Sequence, residues 1–173
     1  GGQPYSDMFI DTNGNGEYDP GEPAFYSIQD AIDNASDGDT IKVYDGVYYE
    51  NLVIDKELTL KSASTPILDG GNTTYGPAVH ITADNVTFEG FIIRNYISNY
   101  TNISDIGGIL IEGNNAIVND SIIYNIQSDS SNPAGIGIDI HANNVKVTNC
   151  TVYDVDSIGI RVRHDWSNPP TTS

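Results

Sequence analysis

Residues 11–22 read Asp-Thr-Asn-Gly-Asn-Gly-Glu-Tyr-Asp-Pro-Gly-Glu, and oxygen-bearing groups fall at alternate positions along this stretch. Asp11, Asn13 and Asn15 each offer a side-chain oxygen. Gly16 permits the sharp turn that follows, Glu17 offers its main-chain carbonyl, and Asp19 and a bidentate Glu22 complete the set. Hard oxygen donors in that number suit Ca2+ far better than Zn2+ or copper, so Ca2+ in a structural role is the cofactor expected. No pair of helices flanks the loop: Met8, Phe9 and Ile10 read as a strand before it, and Pro20 and Pro23 delay any helix until Ser27.

A second group has acid, base and anion-holding chemistry. Glu112, His141 and Arg163, with Asp139 and Arg161, are the side-chain types a polysaccharide-processing site uses. They lie one repeat apart and meet only if the chain coils on itself. Opposite charges on adjacent strands also stabilise a sheet face with no reaction at all, and that reading covers the same residues.

The element that would stack them is a repeat. Asn85, Asn115 and Asn144 occupy one frame at steps of 30 and 29 residues, each between short alternating strands. Val79/Ile81, Ile109/Ile111, Ile138/Ile140 and Ile160/Val162 precede or complete the frame. Period two puts them on one buried face, with the residues between them facing out. Gly90, Asp120 and Asn149 mark a second row of turns. Short strands in a repeating order, without helices between them, predict an all-β fold, a parallel β-helix, whose right hand is what the resemblance given below implies. Two longer corners, near Asn99 and near Ser128, fall on one side of the stack.

Ser27 begins a short amphipathic helix with Ile28, Ala31, Ile32 and Ala35 on one face, suited to capping the first coil. The expected organisation is a strand and calcium loop over residues 1–26, the helix-capped β-helix over 27–166, and a Pro/Thr tail over 167–173.

The chain has 173 residues, 24 acidic and 7 basic, for a net charge of −17. Such a balance repels phosphate backbones, so nucleic acid is an unfavourable partner and cations are favoured ones. No stretch is apolar enough to cross a bilayer, and the first residues resemble a processed end. The single Cys150 has no internal disulfide partner and aligns with inward positions, as a buried thiol would. Acceptor triplets for N-glycan occur at Asn34, Asn72, Asn85, Asn99, Asn102, Asn119 and Asn149.

The run from Ser27 through Gly38-Asp39-Thr40-Ile41-Lys42-Val43 and Leu58-Thr59-Leu60 resembles the opening of right-handed β-helix proteins with the pectin-lyase-like fold. It looks most like the β-helical repeats of archaeal and bacterial cell-surface proteins, which implies an extracellular scaffold. Residues 11–22 resemble the calcium loops of extracellular modules such as dockerins. Gly46, Tyr48 and Glu50 match the G-x-Y-x-E element of pectin methylesterases, but the elements that carry that family's catalytic aspartates have no counterpart here, so the three are read as fold residues.

The function expected is therefore an extracellular, calcium-binding structural or adhesive surface protein. No amphipathic helix follows Arg163 to close the last coil, so head-to-tail stacking into a filament or array is expected. Residues 7–11 or the calcium loop would add to a neighbour's last coil. The alternative is a polysaccharide-binding or polysaccharide-cleaving module, a lyase or hydrolase, using Glu112, His141, Arg163, Asp139 and Arg161. Tyr124 and Tyr153 below Arg94 would offer either a sugar platform or an interface.

Overall fold

The computed structural model describes residues 7–98, 106–129 and 135–163, so Asn99, Asn102 and the 167–173 tail lie outside the described residues. The chain winds as a parallel β-solenoid. Strands β1 (Met8–Ile10) and β2 (Ala24–Phe25) and the helix α1 (Ile28–Asn34) come first, and each later circuit adds one strand to each of three sheets.

The first sheet stacks β3 (Thr40–Val43), β6 (Thr59–Ser62), β9 (Thr87–Glu89), β13 (Ile117–Asn119) and β16 (Lys146–Thr148). The second holds β4 (Gly46–Tyr48), β7 (Pro66–Asp69), β10 (Ile92–Arg94), β14 (Ile122–Ser128) and β17 (Thr151–Val155), with the short β11 (Ile97–Ser98) alongside β14. The third is β5 (Leu52–Ile54), β8 (Val79–Ile81), β12 (Gly107–Ile111), β15 (Ile136–Ile140) and β18 (Ile158–Val162).

Register makes the core. Ile41, Leu60, Phe88, Val118 and Val147 lie in one column of the first sheet, and Leu52, Val79, Ile109, Ile138 and Ile160 in one column of the third. All but the last member of each are buried, and each buried aliphatic or aromatic side chain contributes roughly 1.5–3 kcal/mol of apolar transfer.

The asparagine frame is a set of left-handed turns: Asn85, Asn115 and Asn144 sit at φ 59, 58 and 57°. Their side chains run as a ladder, Asn115 Nδ2 donating to Asn85 Oδ1 at 3.1 Å and Asn144 Nδ2 to Asn115 Oδ1 at 3.3 Å. Asp84, Asn114 and Asn143 form a second ladder beside it. A further left-handed row, Asn95, Asn125 and Asp154, was not expected from the sequence.

Residues Gly46, Tyr48 and Glu50 build the amino-terminal cap. The Glu50 carboxylate accepts the Ser27 hydroxyl and the backbone N–H groups of Ile28 and Gln29, each at 3.0 Å, and so holds the start of α1. The Ser27 hydroxyl in turn accepts the Asp30 N–H. Tyr48 is buried, its hydroxyl donates to the Tyr44 carbonyl at 3.0 Å, and a Cβ on Gly46 would press to 3.1 Å from its ring. Gln29 closes the β5 edge by accepting the Val53 N–H at 2.9 Å and donating to the Val53 carbonyl at 3.2 Å.

One expectation fails. The strand over residues 7–11 is not available for a neighbour, because β1 pairs antiparallel with β3 on one side and β2 on the other. Its residues Met8, Phe9 and Ile10 are all buried, so apolar burial at home outcompetes addition elsewhere. The Cys150 thiol does face inward, donating to the Thr148 carbonyl at 3.2 Å, but it is half-buried rather than enclosed.

Candidate functional site

The twelve-residue loop joins the two strands of the amino-terminal hairpin. Its roots are fixed by Ile10 N–H to the Pro23 carbonyl at 2.9 Å and Asp11 N–H to the Thr40 carbonyl at 2.8 Å. The Asp11 carboxylate accepts the N–H groups of Gly14 at 2.7 Å and Gly16 at 2.8 Å. Both glycines have positive φ, 74 and 80°, which is why glycine stands there. Asn13 and Asn15 each accept the N–H two residues on, at 2.9 and 2.8 Å, as Asx turns do.

Asp19 Oδ2 receives Nδ2 of both Asn13 and Asn15, at 2.7 and 2.8 Å. Glu22 spans the loop, with Oε1 on the Thr12 N–H at 2.8 Å and Oε2 on the Asp19 N–H at 2.9 Å. Asn13, Asn15, Asp19 and Glu22 are thereby linked by hydrogen bonds, Glu17 joins through its backbone N–H, and Asp11 holds the two glycine amides of the same loop. Tyr18 packs edge-on against Phe9, ring centroids 5.7 Å apart, and fastens the loop to β1. Among the described residues no three His, Cys, Asp or Glu side chains are gathered closely enough to hold a metal ion. The loop's donor set mixes the carboxylates of Asp11, Asp19 and Glu22 with two carboxamides and a main-chain carbonyl, and its chemistry suits a hard divalent cation.

On the third sheet, His80, Leu110, Asp139 and Arg161 register as one outward column, as predicted. Their surroundings differ from the prediction. Leu110 and Asp139 have no exposure, and Ile106 and Ile136, which follow the two long corners, cluster with Leu110. Strand parity sets the side of the sheet, but it does not set contact with water.

Asp139 is the hub of this face. It accepts Nε and Nη2 of Arg161 at 2.9 and 2.5 Å and Nε2 of His141 at 2.8 Å, with Arg163 Nε at 3.6 Å. Burial pushes its carboxyl up, but the hydrogen bonds from Arg161 and His141 outweigh burial and hold it below its ordinary value of 3.8. Glu112 turns away and meets His80 at 2.7 Å. The predicted trio of Glu112, His141 and Arg163 therefore does not converge: His141 and Arg163 gather on Asp139, and Glu112 does not. The diagonal offset of His80 and Glu112 on neighbouring strands was the available signal.

A third cluster lies outside the second sheet. Asp69, Arg94, Tyr124 and Tyr153 occupy successive strands, with Arg94 Nε on Asp69 at 2.8 Å and Arg94 Nη1 on the Tyr124 hydroxyl at 3.2 Å. The tyrosine rings stack at 5.0 Å and 6°, so each covers a face of the other along the stack. Stacking uses one face of each ring, and Tyr153 stays exposed.

No family model matches the chain. Over 71 residues, 40% of this chain, it is 44% identical to a cell surface glycoprotein of Methanothermus fervidus, of which that stretch is 12%. The chain thus spans about an eighth of that relative's length. Among solved structures it is similar to a pectin methylesterase in complex with a hexasaccharide, at 17% identity over 82% of this chain and 63% of that one, TM-score 0.47. The pectin methylesterase from Aspergillus niger aligns at 14% identity over 83% of this chain and 65% of that one, also with a TM-score of 0.47. No helix among the described residues is long and apolar enough to cross a membrane.

Proposed function

We propose that this chain is a calcium-binding structural stretch of a cell-surface glycoprotein. The observation that carries the reading is the 44% identity over 71 residues to the Methanothermus fervidus protein of that name. A stack of parallel coils with the edges of its amino end covered suits a load-bearing rod on a surface. Ca2+ would be held by Asp11, Asn13, Asn15, the Glu17 carbonyl, Asp19 and Glu22, taking the place that the Asn13 and Asn15 amides fill at Asp19. Bound there, the ion ties the hairpin to the first sheet and neutralises a crowded acidic loop. Titration calorimetry tests this: binding with Kd on the order of 10⁻⁴ to 10⁻³ M is expected, abolished in Asp11→Ala. No heat at tens of millimolar Ca2+ would sink the calcium assignment.

End-to-end assembly is the finer part of the same reading. On the last coil Lys146, Arg161 and Arg163 outnumber Asp154 and Asp156, whereas α1 at the opposite end exposes Asp30 and Asp33. Those charges favour head-to-tail contact, and screening weakens it. Sedimentation at rising ionic strength should show oligomers dissociating; a monomer under every condition rejects assembly. A polysaccharide-binding role draws on Arg163, which is partly exposed and, beside its 3.6 Å ion pair with Asp139, has further N–H donors to offer an acidic sugar. Retarded migration in a gel containing an acidic polysaccharide, lost in Arg163→Gln, is the outcome that would favour it.

A further inference from the structure

The structure ranks the glycan acceptors, and this step rests on the reading of the chain as a surface glycoprotein. Attachment joins an asparagine Nδ2 to the anomeric carbon of a lipid-phosphate-linked sugar. The N–C bond forms as the C–O bond to phosphate breaks, the amide gives up one proton, and the lipid phosphate leaves. An acceptor that carries glycan in the folded protein therefore needs an Nδ2 that the fold does not use, and open space beyond it.

Three of the five described acceptors fail that requirement. Asn34 Nδ2 donates to the Asp30 carbonyl at 2.8 Å, within α1. Asn85 Nδ2 donates to Glu57 at 2.9 Å while its Oδ1 accepts from Asn115, so both ends of the amide belong to the ladder. Asn119, half-buried in β13, donates to Asp120 at 2.8 Å and accepts from the Thr148 hydroxyl at 2.8 Å.

Two meet it. Asn72 is exposed at a left-handed turn with φ 56°, and its Oδ1 accepts Asn125 Nδ2 at 3.3 Å, which fixes the amide with Nδ2 pointing away from its partner. Asn149 is exposed at φ 51° on the turn between β16 and β17, and its side chain makes no hydrogen bond among the described residues. Both head an Asn-x-Thr triplet, completed by Thr74 and Thr151. We propose that, of these five, Asn72 and Asn149 are the residues that carry N-linked glycan.

The chain secreted from a host that glycosylates such triplets, digested and read by peptide mass spectrometry, tests the assignment. Glycan mass is expected on the Asn72 and Asn149 peptides, with Asn34, Asn85 and Asn119 bare. Thr74→Ala and Thr151→Ala leave both asparagines in place, and each should remove one step of electrophoretic mobility shift. Glycan on Asn34, Asn85 or Asn119 with Asn72 and Asn149 bare overturns the assignment and leaves the glycoprotein reading intact. A secreted chain with none of its triplets occupied, alongside a control protein that is glycosylated, overturns the glycoprotein reading itself.

Discussion

Asp139 concentrates the energetics of single residues. A carboxylate with no exposure survives ionised because Arg161 and His141 supply charge and hydrogen bonds together. Removing its charge takes from Arg161 the carboxylate that accepts two of its N–H groups, so Asp139→Asn should cost about 2–3 kcal/mol in urea unfolding. That is less than the ~3–5 kcal/mol of a fully enclosed pair, because the arginine keeps some access to water. Glu112→Gln breaks only the exposed contact with His80 and should cost less than ~1 kcal/mol in the same assay. The pH dependence has a definite sign. Asp139 and Asp69 are both held below the ordinary 3.8, so each contributes stability that is fully present above that value and lost as pH falls through the lower folded value. Acid titration followed by circular dichroism should show stability falling below about pH 4, with a shallower fall in Asp139→Asn.

Turns and caps were largely readable in the sequence. The frame of Asn85, Asn115 and Asn144 was visible because one residue type repeats at one offset, and each holds a left-handed turn. The row of Asn95, Asn125 and Asp154 was not. It changes residue type at its last step, and β14 runs straight through Asn125 as a continuous strand, so alternation hid the turn. Burial on the outward side of the third sheet was illegible for another reason: Ile106 and Ile136 cluster with Leu110 from corners whose lengths vary from coil to coil, outside any period. Two substitutions test the turn logic. Asn115→Gly keeps the backbone at φ 58° and loses only ladder hydrogen bonds, roughly 1 kcal/mol, whereas Asn115→Val adds the left-handed penalty of about 1–2 kcal/mol more. Thermal midpoints falling in the order wild type, Gly, Val are expected. At the cap, Glu50→Ala strips the start of α1 of its carboxylate and should cost about 1–2 kcal/mol, with increased amide exchange confined first to Ile28 and Gln29.

Charge is unevenly spread along the chain, and that asymmetry concentrates negative potential toward the amino end. Residues 7–57 carry thirteen acidic and two basic side chains out of 24 and 7 in the chain. The same stretch holds the hairpin, the helix and the first coil, which together cover the open end of the core. Coils contact only their neighbours, so a perturbation at one end should be felt in order along the stack rather than everywhere at once. If residues 11–22 bind Ca2+ as proposed, the ion at about 10–100 times its Kd would add ~1.4–2.7 kcal/mol to the folded state. Chelation would then withdraw that contribution from the hairpin first. Amide exchange followed with and without chelator should therefore show early loss of protection at Met8–Ile10 and α1, while β12 and β13 keep theirs. Sodium chloride at matched ionic strength screens the acidic side chains without occupying the loop, so it should restore only part of the protection. Glu22→Gln should abolish the difference between the two salts. Equal protection by sodium and calcium would mean that the acidic end responds to screening alone, and that residues 11–22 hold the hairpin through their own hydrogen bonds.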